Sequence, residues 1–384
     1  MGISKAAWLS QCEVKNERDQ ILLSRSYDTL MGNLYDREGY PWSPYRCISP
    51  GKGYFKGIWN WDSAFHAIGV SRWDMELAKE SILGFLKFQT KDGLIPDVVW
   101  EHGFVESRHS KPPVFAWACC ILNQKEQDVE FLNKVYPMLV LNEKFLCKNR
   151  KYQDLFYYDA SNREEADYLR FVQNESGWDN SVRWDRGITK LWEIDLNCFM
   201  VLFYDSLSEI AGKLSLAEES EAWRNKRDTL SKKINELMWD SKNHYYADVN
   251  RFTGEISDVL TPASFMPLYL GIASKEQADA MRVIAETNFD SKMPTVSFDD
   301  GGYSMDGYWR GPTWLNVAYF AAKGLKQYGF EVADRIWEWI LEACAAEKEH
   351  IFENYDSITC KGMGCDHFSW SAVFIMEFIL NWEV

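Results

Sequence analysis

Two acid-bearing segments, far apart in the chain, carry the residue types that can do proton chemistry. The first is ESGWDNSVRWD, Glu175 to Asp185, and the second is IFENYDSITCKGMGCDHFSW, Ile351 to Trp370. In the first, Asp179 follows Gly177-Trp178 and precedes Asn180-Ser181. A carboxyl beside an indole is partly desolvated, which raises its pKa and keeps it protonated near neutrality, as a general acid requires. Glu175 and Asp185 are alternatives on the same segment, and a helix-capping role is the plain structural reading of Asp179. In the second, Glu353 stands among Asn354 and Tyr355, polar neighbours that suit an ionised carboxylate able to deprotonate water. Two carboxyl groups with opposite protonation demands are the minimal equipment for glycoside hydrolysis. In the inverting form they stand roughly 6.5–9.5 Å apart, with water between base and sugar.

Aromatic residues surround further polar groups. KGYFKGIWNWDSAFHAIGVSRWD (52–74) places Trp59, Trp61 and Asp62 before a helix. The rings can stack on a pyranose while Asp62 accepts hydroxyl protons; the plain alternative is that Asp62 or Ser63 caps the helix. His66, one turn along, reads as structural. In DGLIPDVVWEHGFVESRHSKPPVFAW (92–117), Pro96-Asp97 reads as a turn, and Trp100, Glu101 and His102 as candidate wall residues. SRHSKPP forms a polar rim leading into an apolar helix with Pro112 and Pro113 at its start. Tyr308, Trp309 and Arg310 precede Gly311-Pro312 and another apolar helix; Arg310 is placed to bind hydroxyls or to hold a carboxylate in its charged form.

The elements that must position these residues are helical. Apolar residues recur at helical spacing over 17–31, 75–89, 127–149, 191–214, 217–239, 275–288, 312–329, 331–348 and 369–382, with shorter candidates near 61–71, 112–122 and 263–270. About twelve helices result. Those apolar all round (Thr313 to Ala322) alternate with charged, amphipathic ones (Glu331 to Lys348), as expected for buried and outer helices. The pattern predicts an all-α fold, an (α/α)6 barrel of six inner helices ringed by six outer ones, with long functional loops. No linker divides the chain, so one domain is expected over 1–384. Strand signal is slight; 244–257 reads as a short hairpin turning near Gly254.

Composition bounds the partners. The 384 residues carry a net charge of −15, which opposes binding to nucleic-acid phosphates. Nine scattered cysteines do not read as a disulfide framework or a zinc set; Cys360 and Cys365 have no second pair. The N-terminal residues lack a signal-peptide apolar region, and no apolar run approaches the ~20 residues that span a bilayer. A cytoplasmic protein without a membrane partner is expected, and oligomeric state is not readable.

Taken together, ESGWDNS, YWRGPTWLN, ENYD, FSWSA, GIWNWDSAFH and GLIPD resemble glycoside hydrolase family 63, which includes α-glucosidases and the mannosylglycerate and glucosylglycerate hydrolases; family 37 trehalases are similar. The motifs run from about residue 52 to the C-terminus. The resemblance implies an (α/α)6 barrel and inverting hydrolysis of a small α-glucoside or α-mannoside, with no cofactor and no metal in the chemistry. It implies Asp179 as general acid and Glu353 as general base. Trp59, Trp61, Asp62, Tyr308, Trp309 and Arg310 would line the sugar subsite, with Trp178, Asn180 and Trp370 completing the wall. The departures are instructive. There is no room for the N-terminal β-sandwich of the large α-glucosidases. The glycines that precede the base in trehalases are replaced by Ile351-Phe352, which points away from trehalose. Thr359-Cys360-Lys361-Gly362 predicts a reshaped loop and a different aglycone. Two rivals remain. An epimerase or isomerase on the same barrel would centre histidines, but the six here do not cluster in a motif. A non-catalytic sugar-binding protein would keep the tryptophans without needing both carboxyls.

Overall fold

The computed structural model describes residues 2–14, 16–158, 165–185 and 190–383, the side chains of 165–168 excepted. The expected domain limits, 1 and 384, lie outside the described residues. The helices, in chain order, are α1 (Lys5–Gln11), α2 (Glu17–Gly32), α3 (Asn60–Val70), α4 (Met75–Leu86), α5 (Phe115–Lys125), α6 (Val129–Asn149) and α7 (Glu165–Ser176). They continue as α8 (Ile194–Lys213), α9 (Ala217–Leu237), α10 (Met266–Tyr269), α11 (Lys275–Thr287), α12 (Leu315–Gln327), α13 (Val332–Ala346) and α14 (Ser369–Leu380).

Six of these form a closed inner ring. α3 packs on α5, α5 on α8, α8 on α10, α10 on α12, α12 on α14, and α14 back on α3. Every residue of α3 is buried, as are most of α8, α12 and α14, which explains their all-round apolar sequences. The amphipathic helices sit outside: α4 on α3, α9 on α8, α13 on α12 and α2 on α14. The alternation in the sequence is therefore the alternation of inner and outer helices of an (α/α)6 barrel. α1 and α7 are additional.

The inner helices run parallel, so the segments preceding them gather at one end. Asp62 lies on the first turn of α3, Lys111 just before α5, Asp179 before α8, Tyr308 before α12 and Glu353 before α14. Around a ring ordered α3, α5, α8, α10, α12, α14, the helices α8 and α14 are opposite. Asp179 and Glu353 thus belong to segments that lead into opposite helices of the ring. The positive ends of the inner helix dipoles face the same space and favour negative charge there.

Several sequence expectations are corrected. α3 begins at Asn60 with Trp59 as its N-cap residue, and no side chain caps it; the Ser63 hydroxyl donates instead to the Trp59 carbonyl at 2.6 Å. Pro112 and Pro113 precede α5 rather than opening it. The hairpin expected over 244–257 is present but shorter: Asn250 donates to the Glu255 carbonyl and Ser257 to the Asp248 carbonyl, both at 2.8 Å, around a Val249–Ile256 bridge and a turn with Gly254 at φ 74°. Its residues pair elsewhere as well: Tyr245–Tyr246 with Trp239–Asp240, and Val249–Asn250 with Leu191–Trp192. Short strands carry more of the site than the sequence suggested. Gly57–Trp59, Val98–Trp100 and Val105–Glu106 form one antiparallel sheet, and Phe352–Tyr355 pairs with Gly362–Asp366. All nine cysteines are free. Among the described residues no helix is long and apolar enough to cross a membrane.

A buried ion cluster pins the Asp179 segment to α8. Arg183 has no exposed side-chain surface and pairs with Asp195 at 2.7 Å and Asp248 at 2.8 Å. Its guanidinium lies 5.2 Å from the Trp178 ring centroid and 5.1 Å from that of Trp184. Asp248 also accepts from the Ile194 amide at 2.9 Å, at the first residue of α8. Removing the cation leaves two buried carboxylates unpaired, so Arg183→Met is expected to lower stability by ~3–5 kcal/mol, read by urea unfolding. A loss below ~1 kcal/mol would show that the cluster does not anchor the segment.

Candidate active site

At the N-terminal end of the inner ring lies a cavity of about 450 Å³, in the range of sites that enclose small ligands. Of the residues singled out in the sequence, Asp179, Glu353, Trp59, Trp61, Asp62, Tyr308, Trp309 and Trp370 line it. Trp178, Asn180 and Arg310 do not. Trp178 is buried behind the wall, 5.1 Å from Trp309 between ring centroids. Asn180 accepts from the Trp309 amide at 2.9 Å and donates to the Gly307 carbonyl at 3.0 Å. It ties the Asp179 turn to the Tyr308 segment. Arg310 pairs with Asp185 and donates to the Asn180 carbonyl at 3.2 Å. Those two bonds hold the same two segments together and turn the guanidinium away from the cavity.

The alternative acids fall away from it too. Glu175 is buried and pairs with Arg150 at 2.9 Å; Asp185 is engaged with Arg310. Glu101 and His102 are outside the lining, while Trp100 is part of it. His66 is sealed in the core, where burial pushes its pKa down to about 3 and keeps it neutral.

Asp179 sits on a turn made by glycine. Gly177 ends α7 with φ 79°, and a Cβ there would meet the Trp61 ring at 2.5 Å. A left-handed residue in contact with an indole leaves room for glycine alone. Asp179 is solvent-exposed yet lines the cavity at the crowded end of the barrel. Desolvation by the surrounding protein raises its pKa to about 6, with Lys111 and His109 opposing and the charge of Asp97 adding. A substrate that displaces the cavity water would extend the shift.

Glu353 lies on the strand Phe352–Tyr355, not on a loop. Opposite it the pairing register shifts, because Gly364, at φ 73°, forms a bulge in the facing strand. The bulge lets the Cys365 amide donate to Glu353 Oε2 at 3.0 Å. A Cβ on Gly364 would lie 2.4 Å from that same oxygen. Tyr308, held in a left-handed conformation at φ 57°, donates its hydroxyl to Glu353 Oε1 at 2.7 Å. Burial pushes the Glu353 pKa up and the charge of Asp179 adds to this, while the amide and the phenol pull it back. Both oxygens therefore meet donors that favour the charged form, in contrast to Asp179.

Three further groups add to the site: an ion cluster at Asp97, two arginines, and Trp314 beside the expected Trp370. Asp97 pairs with Lys111 at 2.8 Å and with His109 at 2.8 Å. Burial alone would raise Asp97, but the two partners outweigh it and hold it below the usual carboxylate range. Arg108 and Arg170 stand at the outer part of the cavity. Arg108 is tied to Glu106 at 2.7 Å, and Arg170 has no ion pair among the described residues. Trp314 stacks on Trp309 at 3.9 Å, and Trp370 stands edge-on to Trp61 at 5.1 Å. The Trp370 indole N–H is buried without a partner and faces a site rich in acceptors. SRHSKPP, read from the sequence as a polar rim leading into an apolar helix, supplies Arg108, His109 and Lys111 to the cavity lining.

Among the carboxyl groups of this aromatic-walled cavity, Asp179 is raised by desolvation, whereas Glu353 is desolvated but also hydrogen-bonded on both oxygens. The model of the mannosylglycerate hydrolase MGH1-like glycoside hydrolase domain matches residues 54–371. The chain belongs to that family. It is an inverting glycoside hydrolase of family 63, acting on a small glycoside. A mannosylglycerate hydrolase of Rubrobacter radiotolerans is 24% identical over 86% of this chain and 92% of its own length. Mannosylglycerate hydrolase MGH2 of Selaginella moellendorffii is likewise 24% identical, over 86% and 82%. Among solved structures, the family 63 mannosylglycerate hydrolase of Thermus thermophilus in complex with glucose has a TM-score of 0.79 at 24% identity, covering 94% of this chain and 100% of that one. Neutral trehalase Nth1 of Saccharomyces cerevisiae shares the fold at a TM-score of 0.71 and 17% identity, over 88% and 74%.

Asp62 gives this hydrolase a pH-dependent stability. Burial raises its pKa to about 8, with Lys111 opposing. A carboxyl raised in the fold stabilises it fully below its ordinary pKa, and that contribution is lost as pH climbs to the folded value. Asp179 shifts the same way. Melting temperature should fall between roughly pH 4 and pH 8, and Asp62→Asn should flatten that fall. An unchanged pH profile in the variant would place the titration elsewhere.

Proposed function

We propose that Asp179 is the general acid and Glu353 the general base in hydrolysis of an α-glycoside whose aglycone is a small acid of the glycerate type. The observation that carries the roles is their contrast within one cavity: desolvation raises Asp179 to about 6, toward its protonated form, whereas Glu353, which burial also raises, receives two hydrogen bonds that favour its charge. Asp179 gives its proton to the glycosidic oxygen as that bond breaks. Glu353 takes a proton from the water attacking the opposite face of the anomeric carbon. Segments leading into opposite helices of the ring suit this geometry, because acid and water must approach the sugar from opposite faces. Tyr308 holds Glu353 in register. Trp59, Trp61, Trp309 and Trp370 enclose the pyranose, and Asp62 meets its hydroxyls. Trp178, Asn180 and Arg310 support these residues from behind.

Charge in the cavity lining supports the choice of aglycone. Arg108, Arg170 and the buried Lys111 line it despite the chain's net −15. The relatives above are named for mannosylglycerate, an α-mannoside of an acid, and a guanidinium with no ion pair among the described residues fits a carboxylate. An α-mannoside is accordingly favoured here over the α-glucoside also expected from the motifs. We read residues 1–384 as one catalytic domain, supported by a continuous core from α2 to α14.

Three measurements test this. Asp179→Asn should lower kcat on mannosylglycerate by about 10²–10⁴-fold but much less on an aryl glycoside whose leaving group needs no proton; Glu353→Gln should depress both alike. If Asp62→Asn instead shows the leaving-group dependence, the acid is misassigned. NMR of the first-formed sugar should show the β anomer from an α substrate, and retention would refute the water-between-carboxylates geometry. Arg170→Ala should raise KM for mannosylglycerate about tenfold or more while leaving a neutral α-mannoside unaffected; equal effects on both would remove the anionic aglycone.

A further inference from the structure

The strand pair that carries Glu353 is open at one end, and three ligating side chains converge there. His350 lies two residues before the strand Phe352–Tyr355, Asp366 ends the facing strand, and His367 follows it. Phe352 pairs with Asp366 across the ladder, so both histidines flank the same end. Their rings are 4.2 Å apart between centroids. One ligand atom from each of His350, Asp366 and His367 lies within 4.8 Å of the others. His367 Nδ1 is already 3.4 Å from the Asp366 carboxylate.

Two features separate this group from a chance meeting of surface side chains. His350 Nδ1 is shielded from solvent and has no hydrogen-bond partner, which is costly for a polar atom. Its Nε2 faces Glu349 Oε2 at 3.8 Å, the side from which carboxylates commonly orient a ligating imidazole. His367 is fixed from below: it adopts φ 57°, and its carbonyl accepts from the Asn33 side-chain amide at 2.6 Å. Asn33 is itself bound to Ser369 at 2.8 Å, at the start of α14.

We propose that His350, Asp366 and His367 bind one divalent ion of the zinc class, with His350 ligating through Nδ1 and water completing the shell. Two imidazoles and a carboxylate suit zinc, nickel or copper rather than magnesium or calcium. Tetrahedral zinc holds nitrogen and oxygen ligands at about 2.0–2.2 Å, so ligand atoms stand roughly 3.4 Å apart, the spacing already present between His367 and Asp366. The half-exposed Asp366 and His367 side chains have the freedom to close the remaining distance. The ion would staple the open end of the ladder that holds Glu353, away from the cavity and outside the hydrolytic chemistry. The site is independent of the roles assigned to Asp179 and Glu353, because its readout is metal affinity.

The test uses the full chain, stripped with chelator and titrated with Zn²⁺ by calorimetry and with Co²⁺ by visible absorption. One saturable ion at micromolar affinity or tighter, tetrahedral cobalt bands and a higher melting temperature are expected. His350→Ala, His367→Ala and Asp366→Asn should each weaken affinity by at least about tenfold and cancel the thermal gain. Unchanged hydrolysis by these variants in chelator would show them folded. Absence of saturable zinc binding, or binding undiminished in all three variants, would overturn the proposal.

Discussion

Closure of the inner ring, α14 against α3, is the contact on which the site depends. It joins helices separated by almost the whole chain and makes six buried helices enclose one another. An inner helix with apolar surface all round can satisfy it only in such a ring, because every face must meet protein. Closure also decides where the chemistry goes. With parallel inner helices, the segments leading into them collect at one end, and those of opposite helices line one cavity.

Inside that cavity, electrostatics separates groups of the same chemical type. Asp62, Asp97, Asp179 and Glu353 are all carboxyls, yet they meet three kinds of environment. Asp97 pairs with Lys111 and His109, which hold it below the usual carboxylate range. Asp62 and Asp179 are desolvated without a direct ion pair and rise. Glu353 is desolvated too but receives an amide and a phenol. Desolvation pushes all four in one direction, and the hydrogen bonds and cations around each decide how far it goes. Lys111 is central because it neutralises Asp97 while lowering Asp62 and Asp179 at longer range.

Backbone geometry supports this at unusual positions. Gly177 passes against Trp61, Gly364 passes against Glu353, and Tyr308 holds a left-handed conformation with its hydroxyl on the same carboxylate. Thr313 and Tyr355 exchange amide–carbonyl bonds at 2.8 and 3.0 Å, joining the Tyr308 segment to the Glu353 strand. The hydrogen bond between Tyr308 and Glu353 is thus set by main-chain pairing a few residues away, not by side-chain freedom.

Much of this was legible in the sequence. Periodicity marked the long helices to within a few residues, and alternation of apolar and charged helices implied the barrel, because burial acts on each helix face separately. Ordered motifs marked Asp179, Glu353 and the tryptophans near them. Tertiary structure alone decided which neighbours of those residues face the cavity. Trp178, Asn180 and Arg310 share motifs with lining residues but turn behind them, since adjacent side chains on a turn cannot all point one way. Asp97, Lys111, Arg170 and Trp314 reached the cavity through ring closure, which no local pattern encodes. The strand pair around Glu353 was hidden for the same reason: its register rests on a bulge at Gly364, and its histidines, distant from each other in the sequence, become neighbours only when the strands pair.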